Sequence, residues 1–113
     1  RRAKHWVEVY KRIRSLLVKD YYRLLSVPNN EADWDAAQFC DGFQQGVVFI
    51  FRYLGRRPRQ SIFLQSLDTS RRYRLRDEGT GEDRVLSGNE LMHGGLSVQL
   101  AANSAKLFSY RVV

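Results

Sequence analysis

Twelve carboxylates, two histidines and one cysteine are the groups in this 113-residue chain that could carry acid–base, metal or nucleophilic chemistry. The most suggestive arrangement is Asp33-Trp34-Asp35. Two acids beside an aromatic ring could combine general acid–base work with stacking against a sugar, since paired carboxylates cleave glycosides. Residues two apart on a strand share a face, so the same triplet also reads as a solvated turn leading into a strand. His5 and His93 are the two histidines, and neither has a sequence neighbour that would complete a zinc site. Cys40 stands alone in the apolar stretch 36–43, where a thiol is a small buried hydrophobe. It excludes an internal disulfide and any cysteine-based metal cluster. Ser61, Ser66 and Ser87 lack the context of a nucleophile elbow. Asp20, Asp41, Asp68 and Glu90 read as helix-end, turn and capping residues. The residues themselves therefore assign no catalytic, cofactor-binding or metal-binding position.

The formal charge of +7 raises the question of nucleic acid or another anion. Arg72, Arg74 and Arg76 alternate with Tyr73 and Leu75, so the three share the outer face of one strand. Arg56, Arg57 and Arg59 cluster with Pro58 in a loop, and Arg12 and Arg14 occupy polar positions of a helical segment. Solvated faces account for all of them, with a sulfate- or phosphate-binding patch as the alternative, and no zinc-finger spacing, RNA-binding signature or Gly-rich phosphate loop accompanies them.

The elements that would position these groups follow from periodicity. An apolar content of 43% with 12% aromatic residues suits one globular core. Trp6, Val9, Tyr10, Ile13, Leu16 and Leu17 recur at intervals of three and four, which predicts a helix ending near Lys19-Asp20, with its stripe docked on the rest of the domain. On that basis Trp6→Ala and Leu17→Ala each cost a few kcal/mol. Glu8 and Arg12 are spaced to pair along the helix. Strands are predicted at 21–27, 36–43, 47–54 and 61–67, then along the arginine-lined segment. The second ends in a turn at Gln44-Gln45-Gly46, and the third is apolar enough to be central. Glu78 to Asp83 reads as a polar hairpin tip. The alternations Leu96-Val98-Leu100 and Phe108-Tyr110-Val112 suggest a closing hairpin. About seven short strands behind one helix predict a mainly β fold, an antiparallel β-sandwich, with the helix over 1–20 and the sandwich over 21–113. No apolar run reaches the roughly 20 residues that span a bilayer. The opening Arg-Arg-Ala without Met suggests a piece of a longer polypeptide, and no compartment is indicated.

Four segments together resemble the C-terminal end of a glycoside hydrolase family 36 α-galactosidase. Trp6-Val-Glu-Val-Tyr-Lys-Arg-Ile-Arg14 and Asp20-Tyr-Tyr-Arg-Leu24 are similar to the last helix of that family's catalytic barrel and the linker after it. Trp34-Asp-Ala-Ala-Gln-Phe39 and Gly46-Val-Val-Phe-Ile-Phe-Arg52 resemble its first sandwich strands. Leu67-Asp68 with Tyr73-Arg-Leu75 follows, and Leu86-Ser-Gly88, Glu90-Leu-Met92 and Gly95-Leu-Ser-Val-Gln-Leu100 are similar to its closing motif. The resemblance implies a retaining hydrolase of terminal α-galactosides whose aspartate nucleophile and aspartate acid/base lie in the barrel, about 5–5.5 Å apart. Neither motif occurs here, so the resemblance transfers no catalytic residue. It implies a supporting lobe whose partner is the catalytic barrel of the same polypeptide, with self-association through that parent. The arginine-rich segment 52–59 departs from the pattern. Two other readings remain: a carbohydrate-binding module that stacks an oligosaccharide on Trp34, Tyr21 and Tyr22, or an anion- or nucleic-acid-binding module built on Arg56, Arg57, Arg59, Arg72, Arg74 and Arg76.

Overall fold

A computed structural model of the chain describes residues 2–14, 20–24, 34–53 and 58–113. One helix, α1 (Arg2–Ile13), precedes eight strands: β1 (Asp20–Arg23), β2 (Trp34–Asp41), β3 (Gln45–Arg52), β4 (Arg59–Ile62), β5 (Arg72–Asp77), β6 (Asp83–Ser87), β7 (Leu96–Gln99) and β8 (Ser104–Val112). Six of them form one sheet in the order β1-β2-β3-β8-β5-β6, and β4 pairs with β7 in a second. Every pairing is antiparallel.

The period-two patterns decide the layers. Trp34, Ala36 and Cys40 of β2, Val48 and Ile50 of β3, Tyr73 and Leu75 of β5, and Phe108 and Tyr110 of β8 all point to one side. There they meet Ile62, Leu96 and Val98 from the small sheet in one core. This is the antiparallel sandwich that alternation predicts, with unequal layers. The other side of the large sheet carries α1, and Val9 seats on Val47 and Leu107 there. β3 is central as expected: β2 and β8 flank it, and its two faces contribute to both clusters.

Three expectations need correction. The alternating segments at the C-terminus are not a hairpin. β7 pairs with β4 and β8 inserts between β3 and β5, so the turn at Ala102-Asn103 carries the chain from one layer to the other. Alternation specifies which residues are buried but not which strand is the partner. The β2–β3 turn lies earlier than predicted, at Gly42 to Gln44, where Gly42 takes φ +58. Gly46 belongs to β3 for a different reason: a Cβ there would collide with the Tyr110 phenol opposite it. The segment 61–67 is strand only through Ile62.

The helix stripe also divides. Val9 is buried, whereas Trp6 keeps 41% and Tyr10 56% of its surface open, so the stripe as a whole does not dock on the sandwich. Leu16 and Leu17 lie outside the described residues. Arg12 makes its ion pair with Glu78 rather than with Glu8.

The closing motif has a local explanation. Ser87 Oγ accepts the Glu90 amide at 3.0 Å, and Glu90 Oε1 accepts the Ser87 amide at 2.8 Å, a reciprocal capping box. It opens the π-helical turn Glu90–Gly94, which buries Leu91. Gly88 allows the Asp68 backbone to pass close by.

Candidate functional site

The sheet surface beside α1 holds the features that could act on other molecules. Where the β5–β6 turn begins, alternation sends Asp77 toward the core side and Glu78 toward the helix. The Glu78 carboxylate receives both terminal nitrogens of Arg12 at 3.0 and 3.2 Å, and Ser109 Oγ donates to it as well. Its backbone amide donates to Leu107 O at 2.9 Å, and its carbonyl lies 2.8 Å from His5 Nε2. Asp77 accepts Lys106 Nζ at 2.8 Å and the Gly79 amide at 2.9 Å. Burial pushes the Glu78 and Asp77 carboxyls up, but the cations and hydrogen bonds outweigh it, so both stay below the usual carboxylate range. A turn read in sequence as a polar tip is thus the clamp that holds the helix. The charge of Glu78 gave no hint of its burial, which depends on Arg12 arriving from 66 residues away.

On one side of this clamp lies an apolar groove of about 450 Å³. Trp6, Phe49, Phe51, Leu107 and the exposed Tyr21 line it. The Tyr21, Phe39 and Phe49 rings run across the strands in edge and tilted contacts, with centroids 5.1 and 6.0 Å apart. On the other side is a polar groove of about 350 Å³ bearing Arg12, Arg74, Arg76 and Arg111.

The sugar-stacking platform is not assembled. Trp34 is buried at 4% exposure and Tyr22 packs against the main core, so only Tyr21 of the three faces solvent. Asp35 points away from Trp34, to the opposite face. It pairs there with Arg23 at 3.5 Å and accepts the Ala36 amide at 2.9 Å. Asp33, the other acid of that pair, lies outside the described residues. Cys40 is fully buried, as its setting predicts, and burial raises its thiol further from reactivity. Asp68 accepts the Ser70 amide and hydroxyl, the turn role expected of it. His93 is exposed on the π-helical turn. No cluster of three metal-ligating side chains occurs among the described residues. No described helix is long and apolar enough to cross a membrane.

The six arginines of the anion reading are not one surface. Arg72, Arg74 and Arg76 share the helix-side face of β5, whereas Arg59 extends from the small sheet, where it donates to Gln99 Oε1 at 2.9 Å. Arg56 and Arg57 lie outside the described residues. The inner polar network also escaped the sequence reading. Gln38, fully buried, donates from Nε2 to Gln65 O and Tyr110 Oη and accepts the Gln65 amide at Oε1. Its place in an alternating strand was the available signal, since a polar residue on a core face needs partners.

The layered strands, the one α-helix among the described residues and the capped turn before β7 define an antiparallel β-sandwich domain with a helix on its outer face. Residues 34–110 match the glycosyl hydrolase family 36 C-terminal domain, and the chain belongs to that family. It is similar to α-galactosidase AgaB from Geobacillus stearothermophilus, with 28% identity and a TM-score of 0.76 over 95% of this chain and 15% of that one. A variant of AgaA from the same organism, solved with raffinose, has 27% identity and a TM-score of 0.76 over the same shares. The α-galactosidase from Lactobacillus brevis shares the fold, with a TM-score of 0.77 at 20% identity, over 95% of this chain and 16% of that one. The chain thus spans about a sixth of the length of these proteins. No protein of curated function matches it.

Proposed function

We propose that this chain is the non-catalytic C-terminal lobe of an α-galactosidase-like, retaining glycoside hydrolase, and that it steadies a catalytic barrel in the same polypeptide. The observation that carries this reading is the apolar groove beside α1. Trp6, Tyr21 and Phe49 all expose more than a third of their surface there, on the face that the sandwich core does not use. Contiguous exposed apolar surface of this kind is normally covered by another body. Family membership supplies a candidate for that body, the remainder of an α-galactosidase chain.

The carboxylates support the same conclusion. Asp68, Asp77, Glu78, Asp83 and Glu90 are each engaged in turn, clamp or capping contacts, which is structural work. In the full-length protein, hydrolysis of an aryl α-galactoside by Asp35→Asn and Asp83→Asn variants is expected to stay within about twofold of wild type. Loss of a catalytic carboxylate costs several orders of magnitude, so a drop of about a thousandfold in kcat at unchanged stability would place the chemistry in this lobe instead.

A further inference from the structure

Arg74 of β5 and Arg111 of β8 stand directly opposite each other in the ladder, on the same face of the sheet. Like charges in that position repel and destabilise the pairing. Such a pair is normally relieved by a carboxylate, but among the described residues neither arginine makes an ion pair. The acids nearby are committed: Asp83 to Arg76 at 2.9 Å and Glu78 to Arg12 at 3.0 Å. Of the four guanidinium groups around this groove of about 350 Å³, Arg74 and Arg111 are therefore the two without an ion pair among the described residues.

The register explains why these groups converge. Gln45 of β3, Arg111 of β8 and Arg74 of β5 form one polar row, and in the next row Ser109 lies opposite Arg76, while Val47 on β3 is buried there. Arg12 closes the groove from the helix, held in place by the Glu78 clamp. A groove with converging guanidinium donors, two of them without an ion pair among the described residues, has the elements of a site for a small oxyanion.

We propose that this groove binds a tetrahedral dianion, phosphate or the phosphate group of a small ester, with Arg74 and Arg111 as its principal donors. Two adjacent guanidinium groups suit a dianion, and a volume of this order suits a small ligand rather than a chain. Bound phosphate converts the Arg74–Arg111 repulsion into two charge-assisted contacts across the β5–β8 pairing. Occupancy therefore tightens the sheet where the last strand is inserted.

The test uses the full-length protein with inorganic phosphate and glycerol 3-phosphate as separate probes, against chloride at matched ionic strength. Calorimetric titration gives Kd, and the melting temperature gives an independent readout, since a ligand bound only to the folded state raises it with the logarithm of one plus the ratio of free ligand concentration to Kd. Wild type should show saturable binding of at least one probe and a matching rise in Tm. Arg74→Gln with Arg111→Gln should weaken Kd by about tenfold or more, the scale set by losing charge-assisted hydrogen bonds. In chloride the same double variant should melt no lower than wild type, because it removes a repulsion, so lost binding cannot be ascribed to failed folding. Arg72→Gln, on the same strand but outside the groove, should bind as wild type does. Tighter binding of the ester would extend the site to the organic group, and equal binding would confine it to the dianion. Absence of saturable binding, binding unchanged in the double variant, or retention of a mixed-sequence oligonucleotide without binding of either phosphate probe would each overturn the proposal.

Discussion

Glu78 shows how one residue couples the two ends of the chain. Its carboxylate, 2% exposed, holds Arg12 of the helix and Ser109 of the last strand at once. Replacing it by Ala leaves those partners without their anion, and a hydrogen bond to a charged group contributes about 1.5–3 kcal/mol. Glu78→Ala should therefore destabilise by about 2 kcal/mol in urea unfolding. The pH dependence has a definite sign. The folded-state carboxyl sits below its ordinary value, so its contribution is complete above the unfolded pKa and is lost as pH falls through the folded one. The stability gap between wild type and Glu78→Gln should be full at neutral pH, begin to shrink as pH falls past the ordinary carboxylate value of about 4.3, and close only below the lower folded-state value. A gap that persists at acid pH would show that the charge on Glu78 is not what holds the clamp.

The helix is the element where sequence and structure differ most instructively. A stripe of six apolar residues at helical spacing predicts one buried face, yet Val9 is sequestered by the sandwich while Trp6 and Tyr10 stay exposed. Periodicity reports that a face avoids water, and it does not say which neighbour covers it. The same limit explains the C-terminal strands. Leu96, Val98, Phe108 and Tyr110 were placed in the core from alternation alone, and they are there, but partner choice depends on long-range topology that alternation does not encode. Glu90 and Asp68 were legible because capping and turn chemistry is local. Glu78, Gln38 and the Arg74–Arg111 juxtaposition were not, because each depends on a strand or helix remote in sequence. Two valines of α1, two residues apart, test the helix reading. Val9→Ala removes buried methyl groups from the Val47–Leu107 contact and should cost about 2 kcal/mol. Val7→Ala, at 50% exposure, should stay within about 0.5 kcal/mol in the same denaturation assay. Equal effects would contradict the way α1 is seated.

At the scale of the whole molecule, one sheet serves two surroundings. Its inner face closes a dry core with the β4–β7 layer, and its outer face carries a helix flanked by an apolar groove and a basic one. An alternating sheet can supply both because adjacent residues on each strand answer to different neighbours. The central claim is that the apolar groove receives the remainder of a family 36 polypeptide. The most direct measurement is thermal inactivation of the full-length protein carrying Trp6→Ser and Phe49→Ser together, followed by α-galactoside hydrolysis. The account predicts a melting temperature lowered by several degrees and faster inactivation, with kcat/KM of the still-folded enzyme unchanged. An unaltered melting temperature, or a fall in kcat/KM without loss of stability, would contradict it.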